Sequence, residues 1–538
     1  MIQNLNIDTV LPLLPSSKHT QKIAEAALNN KVIPFPNFDA INFDEKIWKF
    51  EKGTNTASYQ LYIQSLRVVG ELINYYKISK EEKYLYKAVE IVDSWIEFSE
   101  KDSTEMTWYD HPTANRTQVI IELMYYMNSL NHNIDLTKYL RQLEIHCEYL
   151  VNDKNYRPNN HGLMMDRSLL CAGVVLKNSL FYIKGKSRAQ QTFWHSYSYN
   201  GVHLENSPEY HLMVTKMYKI IEKYLNNNND SLGIEINNMI KKADEYLHKI
   251  KRPNNKVPAI GDSSEIEINE SEVDWNNFTD TESGITILKN KTNEIYLGFI
   301  CGYSTITHKH ADDLSIILNY KSQDFFVDSG KYNYSKTKSR YYLVSNKAHS
   351  SFQLKEKYEK SNLNKYKKEV WTDTYFDNKT YSLVSGYLNK YKNTFMRRTI
   401  YYLKELNLIL IRDTGVSKEL KNWVNRFNLN NNVEITSMAK DTMKLNIDNN
   451  FIILKCLSGQ EIKSISQFEN EIVEKPIISK KANKLNYTNQ LISKDDNKEN
   501  TDFLFIIAFN ETPDIKIIKE ENNLVICKNE LRATLPII

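Results

Sequence analysis

Seven segments with apolar residues three and four positions apart follow one another through the first half of this chain, and then the pattern stops. Tyr59 to Tyr76, Glu81 to Phe98, Ala114 to Asn128, Thr137 to Val151, His161 to Ile183, Pro208 to Leu225 and Ile234 to Ile250 each read as an amphipathic helix. Short linkers rich in Asn, Asp, Pro and Lys join them, which suits antiparallel helical hairpins that wrap on one another. After Gly284 the pattern becomes short alternating runs: Ile285 to Leu288, Ile295 to Ile300, Leu314 to Leu318, Thr399 to Leu403, Leu406 to Ile411, Phe451 to Leu457 and Phe503 to Phe509. Such runs between polar turns predict antiparallel strands. The order predicts a multidomain α+β protein, with an all-α domain over residues 1–270 and a β-sandwich-like domain over 271–538. The Lys- and Asn-rich stretch Lys475 to Asn500 reads as exposed connections.

With 538 residues the chain is long enough for two large domains or about four ordinary ones. Its 70 Lys and Arg against 66 Asp and Glu leave a net charge of only +4, so no global field favours nucleic acid. An acidic ligand must then be held by local clusters. The five cysteines, Cys147, Cys171, Cys301, Cys456 and Cys527, form no CxxC pair, which argues against both a disulfide framework and a thiolate zinc site. Neither an apolar stretch of membrane length nor a signal peptide is visible, so no membrane insertion is expected. The expected location is cytoplasmic, or secreted or periplasmic if an export signal has been removed. The oligomeric state is not legible in the sequence.

Three clusters in the helical half exceed what periodicity explains. Trp108-Tyr109-Asp110-His111-Pro112-Thr113-Ala114-Asn115-Arg116 opens a helix, where Asp110 is either a cap or a functional carboxylate. The planar fork of Arg116 suits a carboxylate or sulfate. Asn159-Asn160-His161-Gly162 precedes another helix; either Asn can cap it, and amide and imidazole donors there suit an anionic oxygen. In Asn200 to His211, capping accounts for Ser207, Pro208 and Glu209, which leaves His203, Tyr210 and His211 as candidates.

In the second half, His308-Lys309-His310-Ala311-Asp312-Asp313 is expected to run into a strand and project both imidazoles to one face. Asp328, in Phe325-Phe326-Val327-Asp328-Ser329-Gly330, and His349 add a carboxylate and a third imidazole, a composition suited to zinc. Ser339-Arg340-Tyr341-Tyr342 offers a cation and aromatic rings, or is only a strand edge.

The segments WYDHPTANR, NNHG, GVHLENSPEYH, VPAIGDS, HKHADD, FFVDSGKYNY and NKAHSS, in this order across about residues 48–352, resemble the heparinase II/III-like polysaccharide lyases. That family includes heparan, alginate-oligomer and related uronate-polysaccharide lyases. The resemblance implies an N-terminal incomplete α/α toroid followed by a C-terminal antiparallel β-sandwich. It also implies an anionic polysaccharide substrate, cleaved by β-elimination to a C4–C5 unsaturated product.

A uronate C5 proton leaves only if the adjacent carboxylate is neutralised, a role that fits Asn160 with His161. Tyr210 matches the family's catalytic tyrosine and is the expected acid, and also the base where both protons lie on one face; for the opposite epimer His308 is the expected base. His310, Asp328 and His349 match the family's zinc ligands, at a site that is chiefly structural there. Trp108, His111, Arg116, His203, Glu205, His211, Tyr334 and Arg340 are the expected substrate contacts. The family's further tyrosine corresponds to Tyr334, Tyr341 or Tyr342, and Ser350 stands where Asn is usual.

Two other classes compete. A glycoside hydrolase would use two carboxylates among Asp262, Asp312 and Asp313, although adjacent Asp312 and Asp313 should point to opposite strand faces. A non-catalytic glycan-binding protein would not need Asn160, Tyr210 and His308 together.

Overall fold

The computed structural model describes residues 5–53, 56–130, 135–268, 272–355, 367–469, 471–511, 514–520 and 523–537. The chain divides into two compact units, one formed by Met1–Ser196 with Lys216–Asn238 and the other by Tyr197–Thr215 with Met239–Ile538. As expected, a helical region is followed by antiparallel sheets. No helix among the described residues is long and apolar enough to cross a membrane.

In the first unit the helix Asp110–Ser129 is buried on all sides, and its neighbours include Arg67–Ser79, Lys83–Lys101, Thr137–Val151 and Asn160–Val175. Two expected helices are each broken in two. Tyr59 to Tyr76 becomes Thr56–Gln64 and Arg67–Ser79, because Leu66 adopts a left-handed conformation that a helix cannot contain. His161 to Ile183 becomes Asn160–Val175 and Ser179–Ser196, turning at left-handed Lys177. The two helices close so tightly that a Cβ on Gly173 would lie 2.6 Å from the Tyr182 amide nitrogen.

The second unit is a β-sandwich. A five-stranded antiparallel sheet runs in chain order through Phe278–Asp280, Ile285–Asn290, Ile295–Ile300, Ser315–Tyr320 and Gln323–Phe326. It faces a ten-stranded sheet centred on the long strands Leu408–Asn428 and Gln490–Phe509. Strand alternation divides the side chains between layers. Leu297 and Phe299 enter the inter-sheet core with Val384, Ile400, Ile411 and Phe505, whereas Tyr296 and Ile300 face Tyr246, Leu247 and Ile250. The outer face of the larger sheet is covered by a three-stranded sheet through Leu524, Ile526 and Leu535.

The stretch Lys475 to Asn500, expected as exposed connections, is mostly sheet: a hairpin of Ile477–Lys481 and Lys484–Tyr487, then the first half of Gln490–Phe509. Ile477, Ile478, Leu491 and Ile492 are buried there, while the Lys and Asn lie largely on open faces.

Candidate functional site

In the second unit a turn, a loop and a helix start converge on Asp262. Gly261 is left-handed, and a Cβ there would lie 2.3 Å from the Asn206 carbonyl oxygen and 2.7 Å from that of His308, so only glycine lets these backbones meet. The Asp262 N–H donates to the His308 carbonyl at 3.1 Å. Asn206 Nδ2 donates to the carbonyls of Thr305 and Thr307 at 2.8 and 2.9 Å, which pins the loop before His308. Ser207 Oγ accepts the Tyr210 N–H and donates to the Asp262 carbonyl, tying the start of the helix Pro208–Asn227 to the same point.

His308-Lys309-His310 is not a strand. It lies in a turn before the strand Ser315–Tyr320, with His308 itself left-handed. The two imidazoles nevertheless converge, on one carboxylate rather than one ion. His308 Nδ1 lies 3.1 Å from Asp262 Oδ2, and His310 Nε2 lies 2.9 Å from Oδ1. Arg340 Nη2 adds a charge-assisted contact to Oδ1 at 2.5 Å. Burial raises the Asp262 carboxyl, but hydrogen bonds from His308 and His310 and the charge of Arg340 outweigh it and hold the group well below the usual carboxylate range.

The Tyr210 ring stacks on His308 with centroids 3.6 Å apart, and its hydroxyl lies 3.0 Å from that of Tyr334. Tyr334 OH is also 3.4 Å from His308 Nδ1, and Glu205 Oε2 is 3.6 Å from His308 Nε2. With Asp262 on Nδ1, the neutral His308 ring carries its lone pair on Nε2. Burial raises the Tyr210 phenol, partly offset by the Tyr334 hydrogen bond, so it is protonated at neutral pH. Burial and the Asp262 charge also push Tyr334 upward. Of the three tyrosines considered for this place Tyr334 is the one that joins the cluster. Tyr341 is exposed, and Tyr342 is buried against Gln490.

His203 and His211, expected as substrate contacts, are both buried. His211 Nδ1 accepts the His203 N–H and Nε2 donates to the Ala243 carbonyl, so its two nitrogens brace the loop and offer nothing to a ligand. Burial lowers His211 to about 4.

His349 Nδ1 is in close contact with Asp328 Oδ1, and the two rings His310 and His349 lie 5.5 Å apart. Burial lowers His349, but the Asp328 charge overrides it and raises the imidazole. Asp328 Oδ2 and His349 Nε2 are buried without a hydrogen-bond partner, so a carboxylate oxygen and an imidazole nitrogen remain for a ligand. The donor set therefore suits zinc in kind. Among the described residues, however, no three His, Cys, Asp or Glu are disposed to hold an ion, and His310 Nε2 is engaged by Asp262.

Lys309 is buried between Asp312 and Asp313, and Lys390 lies 3.3 Å from Asp313. The adjacent carboxylates thus meet the same ammonium instead of diverging from a strand. Enclosed there, they do not flank an open cleft as a hydrolytic pair would.

The helical unit holds the other candidates. Asn159 Oδ1 accepts the N–H groups of His161 and Gly162, so Asn159 is the helix cap and Asn160, the first helical residue, is left with its amide uncommitted to capping. A Cβ on Gly162 would lie 2.0 Å from the Arg157 carbonyl oxygen, which explains the glycine in this motif. His161 Nδ1 lies 3.2 Å from Asp110 Oδ1 and its ring 5.5 Å from that of His111. Burial and the neighbouring His161 lower His111 to about 4.

Arg116, expected to receive a substrate anion, is 0% exposed. It donates to the carbonyls of Gln64 and Thr107 and to His146 Nε2, and its guanidinium lies 3.8 Å from the centre of the Trp95 ring. Trp108 packs against Trp95, His146 and Tyr149. These groups build the helical core around Arg116.

Asp262 is the residue that the sequence reading did not place in this site. It has no periodic signature; the signal available was the Gly-Asp-Ser turn inside VPAIGDS.

A helical region followed by this sandwich is the toroid-plus-sandwich fold of polysaccharide lyases. A crystal structure of heparinase III matches with a TM-score of 0.79 at 16% identity, covering 99% of this chain and 92% of that one. Heparan sulfate lyase HepC from Pedobacter heparinus matches at 0.73 and 15%, covering 99% and 92%. The chondroitin AC lyase of Streptomyces coelicolor matches at 0.58 and 7%, covering 100% and 88%. No curated protein matches the sequence. Residues 4–283 match the heparinase II/III N-terminus, and residues 278–522 match the heparinase II/III-like C-terminal domain. The chain belongs to the heparinase II/III-like family and is a polysaccharide lyase.

Proposed function

We propose that the protein cleaves a uronic-acid-containing, glycosaminoglycan-like polysaccharide by β-elimination. The observation that carries this reading is the contact of Tyr210 with His308 and Tyr334 around buried Asp262. A protonated phenol supplies a proton to the departing 4-oxygen, while Nε2 of His308, oriented by Asp262 and with Glu205 Oε2 3.6 Å away, is positioned to take the C5 proton. For a substrate whose two groups lie on one face, Tyr210 performs both transfers once its phenol proton has gone to solvent: the phenolate takes the C5 proton and delivers it to the departing 4-oxygen. Asn160 and His161 are assigned the uronate carboxylate, which must be neutralised before the C5 proton leaves. That Asn160 is not used as the helix cap supports this assignment. The heparan sulfate and chondroitin named for similar structures make such chains the first substrates to try.

A zinc ion, if bound, would be held by Asp328 and His349, with His310 joining them by giving up its contact with Asp262, and would brace the turn that carries His308. The two unpartnered atoms of Asp328 and His349 support this. Incubation with heparan sulfate, chondroitin sulfate, hyaluronan and alginate should produce ultraviolet absorbance from the new C4–C5 double bond. New reducing ends without that absorbance would identify hydrolysis, and neither signal on any chain would refute the lyase reading for these substrates.

A further inference from the structure

The hairpin Ile477–Lys481 and Lys484–Tyr487 is bonded to the backbone of the catalytic turns. The Glu265 N–H donates to the Lys480 carbonyl at 2.9 Å, that of Ser479 to the Ser329 carbonyl at 2.8 Å, and that of Asn483 to the Tyr332 carbonyl at 2.9 Å. Asp262 and Tyr334 are therefore only a few residues along the chain from this brace.

Between the hairpin and the strand pair Lys256–Val257 with Ile266–Glu267 lies a cleft of about 430 Å³. It is lined by Lys256, Lys480, Lys481 and Lys484, with Glu265 and Glu267 as its carboxylates. Glu265 is already engaged by buried Arg252 at 2.6 Å, while Arg252 also pairs with Asp324 at 2.8 Å. Among the described residues none of the four lysine ammonium groups in the cleft has a hydrogen-bond or ion-pair partner. Elsewhere in the same unit, Lys309, Lys331 and Lys347 each meet a carboxylate. Four lysines against Glu267 and an already engaged Glu265, which also acts on Lys480, leave this concavity with an excess of positive charge that favours an entering anion, and the volume falls in the ~300–1,000 Å³ range of ligand sites.

We propose that this cleft is an anion subsite, receiving carboxylate or sulfate groups of sugars along the chain from the cleaved linkage. It rests on the reading of the substrate as an anionic polysaccharide. Alternation along the second strand of the hairpin supports a built surface: Lys484 and Asn486 face this cleft, whereas Leu485 and Tyr487 line another.

The test is the dissociation constant on immobilised heparan sulfate and on immobilised hyaluronan at low salt, for the wild-type protein, K481Q/K484Q and a control, K418Q/K440Q. The cleft lysines should account for about fivefold weaker binding, with a shallower salt dependence, at surface ion-pair strengths. Loss on heparan sulfate alone assigns the cleft to sulfate, and loss on both assigns it to carboxylate. Unchanged binding, an equal loss in the control, or no binding by the wild-type protein overturns the proposal. Cleavage by the wild-type protein is assayed separately. If binding depends on the cleft lysines but no unsaturated product forms, the lyase reading fails and the subsite stands.

Discussion

Replacing Asp262 with asparagine removes the charge on which His308, His310 and Arg340 meet while keeping the side chain's shape. Asp262 is 3% exposed, and its two oxygens receive contacts at 3.1, 2.9 and 2.5 Å. An asparagine retains one acceptor oxygen and turns an amide nitrogen toward donors it cannot satisfy. Arg340 keeps only its bond to the Lys331 carbonyl among those shown here. Breaking one side of a buried ion pair costs about 3–5 kcal/mol, because the remaining charge stays desolvated. The His308 tautomer is no longer held, so the proton transfer loses most of a contribution of about 10²–10⁴-fold. We expect a lowered urea midpoint, and a fall in kcat of at least ~10²-fold with KM little changed, because Asp262 positions a group that acts in the transition state. Initial rates of unsaturated-product formation beside unfolding curves measure both. A variant as stable as the wild-type protein and within about twofold of its kcat would refute Asp262 as the organiser of the site.

Tyr210→Phe should abolish product formation with the unfolding midpoint nearly unchanged, whereas Tyr334→Phe, 55% exposed, should retain measurable turnover; circular dichroism and initial rates separate the two. Arg116→Ala should lower stability by about 3 kcal/mol or more, by orphaning the Gln64 and Thr107 carbonyls, without raising KM; a raised KM at unchanged stability would return Arg116 to the substrate. His111 and His211 are each lowered from 6.5 to about 4, so below pH 6.5 the unfolded chain binds protons that the folded chain refuses. Stability should therefore be complete above pH 6.5 and fall toward pH 4, by up to about 3 kcal/mol for each histidine, in urea titrations across that window. If zinc is resident, a chelator should lower the melting temperature of the wild-type protein but not of an Asp328→Asn variant; equal shifts in both would place the ion elsewhere.

Patterns that repeat within a few residues were legible before folding. The 3.6-residue period of the first half and the alternation of the second follow from where one helix or strand turns its side chains, so the helical region and the sheet region could be read in order. Tyr210 and His308 stood out because unusual residue types stand beside turn and cap residues that do not need them. Breaks within a periodic stretch were not visible. Leu66 and Lys177 adopt left-handed backbone in response to the packing around them, and nothing in their side chains announces it. The Lys475 to Asn500 hairpin was hidden by its lysines and asparagines, because Ile477–Lys481 buries three adjacent residues and Lys484–Tyr487 buries none, so neither strand carries the alternation that marks a strand in sequence.

What tertiary structure alone decided is which polar side chains find each other. Arg116 looked like an anion receptor by its chemistry, and became a core residue because Gln64 and Thr107, distant in sequence, bring their carbonyls to its fork. Asp262 read in sequence only as a carboxylate for a competing hydrolase, and became the centre of the site because Gly261 lets the backbones of Asn206 and His308 close on it. Helix and strand period are properties of neighbouring residues along the chain. The partners of a buried charge depend on contacts between residues far apart in sequence, and only the folded chain supplies them.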